Sequence, residues 1–146
     1  MVDKEIVRRR LERLDGYVTI LESLRRYDFD EFIADPEHYG SAERFLQVSI
    51  EILIDLGNHV IAEEGHGAVE SYGDIPVVLQ KKGLIGNDLC ERWVRMIGFR
   101  NILVHEYLDV DRRLVYEAVH EKLSDLRELQ SIFARLMEAN DDHDLV

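Results

Sequence analysis

Cysteine occurs once in this 146-residue chain, as Cys90, so no internal disulfide can form and a disulfide-stapled secreted domain is excluded. Two prolines and nine glycines supply too few turn-formers for an all-β fold. No uninterrupted apolar run reaches membrane-spanning length, and the opening "MVDKEIVRRR" lacks the apolar core of a signal peptide. A cytoplasmic chain without membrane attachment is therefore expected. Basic charge is in deficit: 18 Lys and Arg against 30 Asp and Glu give a net charge of −12, which argues against simple attraction to nucleic-acid phosphates. A phosphate-cradling G-x-x-x-x-G-K loop and a G-x-S-x-G elbow are both missing. No two His stand at metal-ligand spacing with a supporting carboxylate, and one Cys cannot build a zinc site. The sequence calls for neither metal nor cofactor.

What is present is an ordinary globular balance, 46% hydrophobic and 33% charged, in a length that suits one domain with a real core. Its charge is uneven. Residues 79 to 113 carry seven Lys or Arg against five Asp or Glu, while the remainder carries eleven against twenty-five. A second basic cluster, Arg8, Arg9, Arg10 and Arg13, lies near the N-terminus. Such local patches on an acidic body are compatible with binding a short stretch of RNA.

Helical periodicity runs through the chain. Val7, Leu11, Leu14, Val18 and Leu21 mark one amphipathic helix over about residues 3 to 26. "DFDEFIADP" reads as a short helix or turn closed by Pro36, after which Ser41 is the expected cap of the next helix. That helix, "SAERFLQVSIEILIDLGNHVIAEEG", is apolar on nearly every face, the mark of a buried central helix, and Gly65 and Gly67 end it. "IPVVLQKKG" forms a short helix with Pro76 in its first turn, and Asn87 or Asp88 caps a helix running to about Tyr107. Asp111 opens a last helix, striped by Val115, Val119, Leu123, Leu126, Phe133 and Leu136. The expectation is an all-α fold: a single up-and-down bundle of four main helices plus short ones over residues 1–139, with 140–146 a frayed tail.

Polar residues in apolar surroundings need an explanation. On an ideal helix Arg100 and Tyr107 lie about 20° apart in the middle of the stripe formed by Trp93, Met96, Ile97, Leu103 and Val104. A guanidinium there requires an anion. Glu51 and Asp55, one turn apart, are the only carboxylates between Arg44 and Gly57, and either can supply it. The plain reading is a structural ion pair. The chemical reading joins Arg100, Asn101, His105 and Tyr107. An Arg grips a phosphate with a bidentate fork, and a His takes the proton of a ribose 2′-OH or protonates the leaving 5′-oxygen. One obstacle is geometric, since His105 lies about 140° from Arg100 on the helix. A second copy of the site across a dimer two-fold would gather four groups in one cleft.

The string "FRNILVHEY" resembles the R-x-x-x-x-H-x-Y motif of HepT-like toxins, a branch of the HEPN superfamily of small helical ribonucleases and nucleotide-binding domains. "AERFLQVSIEILIDLGNHVIAEEG", "SYGDIPVVLQKKGLI" and "VYEAVHEKLSDL" follow in the family's order, so the likeness covers about residues 5 to 135. One departure is Pro76 and Val77, where an aromatic is expected. The resemblance implies a homodimer with a shared cleft and a metal-independent endoribonuclease acting on mRNA or tRNA. It also implies a two-gene module whose antitoxin, a minimal nucleotidyltransferase, attaches AMP to the motif tyrosine. By that resemblance Arg100 and His105 become catalytic, Asn101 and Asp55 supporting, and Tyr107 the AMP acceptor; Glu51 is a supporting residue only as a candidate anion for Arg100. Two other readings are a non-catalytic nucleotide- or RNA-binding HEPN module and a dimeric protein whose task is to be held by a nucleotidyltransferase. An intact Arg, His and Tyr favours the toxin.

Overall fold

The computed structural model describes residues 4–65, 69–105 and 110–144, and among them it contains helices and no strand. Helix α1 (Lys4–Ser23) buries Val7, Leu11, Leu14, Val18 and Leu21, the five residues whose spacing predicts it. A 3₁₀ turn (Leu24–Arg26) leads to α2 (Phe29–Ala34), which starts on a reciprocal capping box between Asp28 and Glu31.

Helix α3 (Pro36–Glu63) begins five residues earlier than the Ser41 cap expected from sequence. Asp35 caps it instead, accepting from the Glu37 N–H, and Pro36 takes the first helical position, where a missing N–H costs nothing. Pro36 thus opens a helix as well as closing one. Helix α3 packs on α1, α2, α4, α5, α6 and α7, the central place its all-round apolar character requires. By length and composition it is apolar enough to cross a membrane, although Glu51 and Asp55 interrupt its run; half of its most apolar window is buried inside the bundle.

Helix α4 (Asp74–Lys81) ends in a Schellman motif, with Gly83 at φ +77° and the Leu84 N–H donating to the Leu79 carbonyl at 3.0 Å. Helix α5 (Asn87–His105) carries the motif. Trp93 from α5 and Ile75 from α4 close over Gly57, where a Cβ would lie 2.5 Å from Ile75 Cγ2 and 3.2 Å from Trp93 Cη2. The lack of a side chain at Gly57 is what seats the motif helix on the central one.

The single last helix expected from sequence is two helices, α6 (Arg112–Glu121) and α7 (Leu123–Asp144), divided at Lys122. Neither Gly nor Pro marks the break. The apolar stripe keeps its phase across it, since Val115, Val119, Leu123, Leu126 and Phe133 are all buried. Asp111 caps α6 as expected, accepting from the Arg113 N–H. Helix α7 continues to Asp144, into the segment expected to fray.

Candidate active site

Arg100 rises from the buried face of α5, and its side chain is 17% exposed. Its anion is Glu51. Both Nε and Nη2 stand 3.1 Å from Glu51 Oε1, which also accepts from Gln47 Nε2 at 3.0 Å. Nη1 donates to Asn101 Oδ1 at 3.1 Å, and the ring of Tyr72 lies against the guanidinium, 5.3 Å from its carbon. Glu51 therefore holds the Nε–Nη2 edge, Asn101 takes one Nη1 donor and Tyr72 covers one face. A guanidinium has five N–H donors, so its outer edge keeps donors for a ligand.

Arg100 borders an open groove of about 1030 Å³ between the end of α3, the segment 69–73 and α5. Arg100, Asn101 and His105 all line it, together with Asn58 and Tyr72. The groove wraps around the end of α5, so residues about 140° apart on an ideal helix still share it. Asn101 and His105 are exposed, in keeping with their place off the apolar stripe. Among the described residues no three His, Cys, Asp or Glu gather as a metal set.

Not every expected residue joins this cluster. Asp55, one turn on from Glu51, meets a different cation, its carboxylate 3.8 Å from Arg10 Nε of α1. Arg10 Nη1 stands 2.7 Å from His59 Nε2, and since Arg can only donate, that nitrogen accepts. The two carboxylates on one side of α3 thus hold two different arginines, Glu51 the motif Arg100 and Asp55 the N-terminal Arg10. Tyr107 lies outside the described residues. Sequence reasoning passed over Tyr72 and Gln47, and it named Arg10 only as part of a basic cluster, not as the partner of Asp55. Tyr72 sits in an irregular segment with no periodicity, and Gln47 is marked only by preceding Glu51 by one turn.

A family model described as "Ribonuclease HepT-like" matches residues 8–131. A tRNA nuclease HepT from Aphanizomenon flos-aquae is 26% identical over 144 residues, covering 96% of this chain and 98% of the relative. An mRNA nuclease HepT from Shewanella oneidensis is 31% identical over 83 residues, covering 57% of this chain and 62% of the relative. A solved structure of the tri-AMPylated Shewanella oneidensis HEPN toxin in complex with its MNT antitoxin superposes with a TM-score of 0.81 at 24% identity, covering 92% of this chain and 99% of that one. At that identity the likeness speaks for the fold.

Proposed function

The chain belongs to the HepT-like ribonuclease family, and on that premise we propose that it is the toxin of a two-gene toxin–antitoxin module. It is a metal-independent endoribonuclease that cleaves mRNA or tRNA and is silenced when a nucleotidyltransferase antitoxin transfers AMP to Tyr107. The observation that carries this reading is the meeting of Arg100, Asn101 and His105 in one open groove, with Arg100 anchored by Glu51 along one edge only. A purely structural ion pair has no need of an outward donor edge or of an exposed His beside it. The nuclease relatives and the AMPylated structural neighbour point the same way.

The chemistry uses the chain's own groups. Neutral His105 takes the proton of a ribose 2′-OH, and the freed oxygen attacks the adjacent phosphorus. The bond to the 5′-oxygen breaks, and that oxygen leaves with a proton. Arg100 binds the non-bridging oxygens and stabilises the charge that builds on them. One imidazole serves poorly as base and acid in the same step, so a second copy of the pair, brought in by a homodimer, is part of the proposal. Val94 and Ile102, exposed on α5 to either side of Gly98, offer an apolar surface for that contact.

The test is cleavage of RNA by the purified chain. Products should end in a 2′,3′-cyclic phosphate and begin with a 5′-hydroxyl, and activity should survive excess EDTA. His105→Ala should abolish cleavage without loss of helicity, because the side chain is exposed. Cleavage by well-folded His105→Ala protein would remove His105 from the mechanism.

A further inference from the structure

The N-terminal basic cluster has no part in the chemistry above, yet the fold brings one side of it against α3, the helix that holds Glu51. Two contacts run α1 antiparallel to α3: Arg10 against Asp55, and Tyr17 stacked on Phe45 with ring centroids 5.1 Å apart. Arg13 lies between Arg10 and Tyr17 in sequence and, around the helix, about 40° beyond Tyr17 and about 60° from Arg10 on the solvent side, so it stands at the exposed margin of the flank that meets α3, level with the stretch that contains Glu51. On α3, Arg44 lies two turns before Glu51, about 20° from its line and about 10 Å along the axis. Arg13 and Arg44 are both exposed, and neither has a hydrogen-bond or ion-pair partner among the described residues.

Acidic groups on this strip are already occupied. Glu51 holds Arg100 and Gln47, and Asp55 holds Arg10. The opposite flank of α1 differs: there Asp15 and Glu22 pair with Arg127. On a chain of net charge −12, two unpaired arginines flanking a half-buried Tyr–Phe stack form a local anion-attracting surface. Glu51, near the line of Arg44 on α3, bonds Arg100, which lines the groove.

Resting on the ribonuclease reading, we infer that Arg13 and Arg44 form a second grip for the substrate, holding phosphates of a single RNA strand that crosses the α3 ridge from the Arg100 groove toward α1. Adjacent helices pack about 8–10 Å apart, so the path from α5 to α1 spans about 16–20 Å, a few nucleotides. Tyr17 beside Arg13 offers a ring for a base, the pairing of aromatic and cation that serves single-strand binding elsewhere. The arginines are positioning residues, and the surface selects unpaired RNA over a duplex. This separates two jobs: Arg100 addresses the scissile phosphate, and Arg13 with Arg44 sets where the strand enters.

The experiment pairs Arg13→Gln/Arg44→Gln with the parent, using a fluorescein-labelled oligouridylate of about 12 nucleotides, within the range of single-strand sites. Binding is read in a His105→Ala background so that the probe is not cut, and steady-state cleavage is read with His105 intact. The double variant should bind about tenfold more weakly at low salt, and the slope of log K against log salt should shrink by about 1.4, for two lost phosphate contacts on a single strand. KM should rise by the same factor while kcat holds. Arg8→Gln, on the opposite flank of α1 and paired with Glu5, should change neither. Parent-like affinity and salt slope in the double variant overturn the second grip, as does an equal loss in Arg8→Gln, which would mean that net charge alone is read. Unchanged RNA affinity with lost inhibition by the antitoxin also overturns it, marking a protein-docking face. A parent that neither binds nor cleaves RNA overturns the ribonuclease reading itself.

Discussion

Removing Arg100 and removing Glu51 should have different consequences, because in the proposed mechanism only Arg100 touches substrate. Arg100→Ala leaves Glu51 behind, and a deeply buried orphan carboxylate would cost about 3 kcal/mol. Glu51, however, is 34% exposed and keeps the Gln47 amide, so the expected loss is about 1 kcal/mol, read by chemical denaturation. Cleavage should vanish. Glu51→Gln keeps the shape but removes the charge that aims the guanidinium. It should lower kcat about tenfold with the fold retained, and an unchanged kcat would reduce the pair to a structural role. Tyr107 shares the direction of Arg100 on an ideal helix, about 20° away and two turns on. On that ideal geometry, AMP attached there would set a negative phosphate within reach of Arg100 and compete with the RNA phosphate for its fork. Tyr107→Phe should remain at least partly active and escape AMP transfer, which intact mass measurement detects. Transfer of AMP to the Phe variant at equal efficiency would place the acceptor elsewhere.

Between helices, the site depends on how closely α5 approaches α3. The contact at Gly57 sets that approach, since any Cβ meets Ile75 and the fully buried Trp93. Gly57→Ala should destabilise the fold by about 1–3 kcal/mol, despite alanine's better helix propensity. It should also lower activity by moving Arg100 relative to Glu51. A melting temperature at or above that of the parent would show that the helices shift without cost. The division of α6 from α7 works at the same scale. Asp125, in the first turn of α7, receives Arg92 of α5 at 2.5 Å, and Arg92 also reaches Asp88 and Glu128. Hydrogen bonds to Glu128 and Asp125 raise the Arg92 pKa above its ordinary value.

Over the whole molecule, Arg127 ties the C-terminal helix to the first by reaching Asp15 and Glu22 at 2.6 Å each. Its hydrogen bonds hold both carboxyls below the usual carboxylate range. A lowered folded-state pKa contributes stability above the unfolded value of about 4 and loses it as pH falls through the folded value. Arg127→Met should therefore lower the melting temperature at pH 7, with the difference from the parent shrinking below about pH 4. A difference independent of pH would assign the effect to packing. The proposed homodimer is tested by sedimentation at micromolar concentration, and a strict monomer would leave the shared groove without its second imidazole.

Sequence alone determined the helices, because burying one stripe of a helix imposes a period that every long element displays, from Val7 to Phe133. It also determined the central place of α3, since only a helix surrounded by others stays apolar on most faces. The motif stood in one short segment, so Arg100, Asn101 and His105 were legible together. Local boundaries were less so: the cap at Asp35 hid behind a proline with two roles, and the break at Lys122 carries no breaker and leaves the stripe in phase. Only the tertiary structure decided which carboxylate meets Arg100. Glu51 and Asp55 differ by one turn, and that choice depends on where α1 and α5 cross α3. Tertiary packing also set Tyr72 against the guanidinium and Arg10 against Asp55. Periodicity records which face of a helix is buried, whereas the partner of each polar group depends on the angle and register between helices distant in sequence.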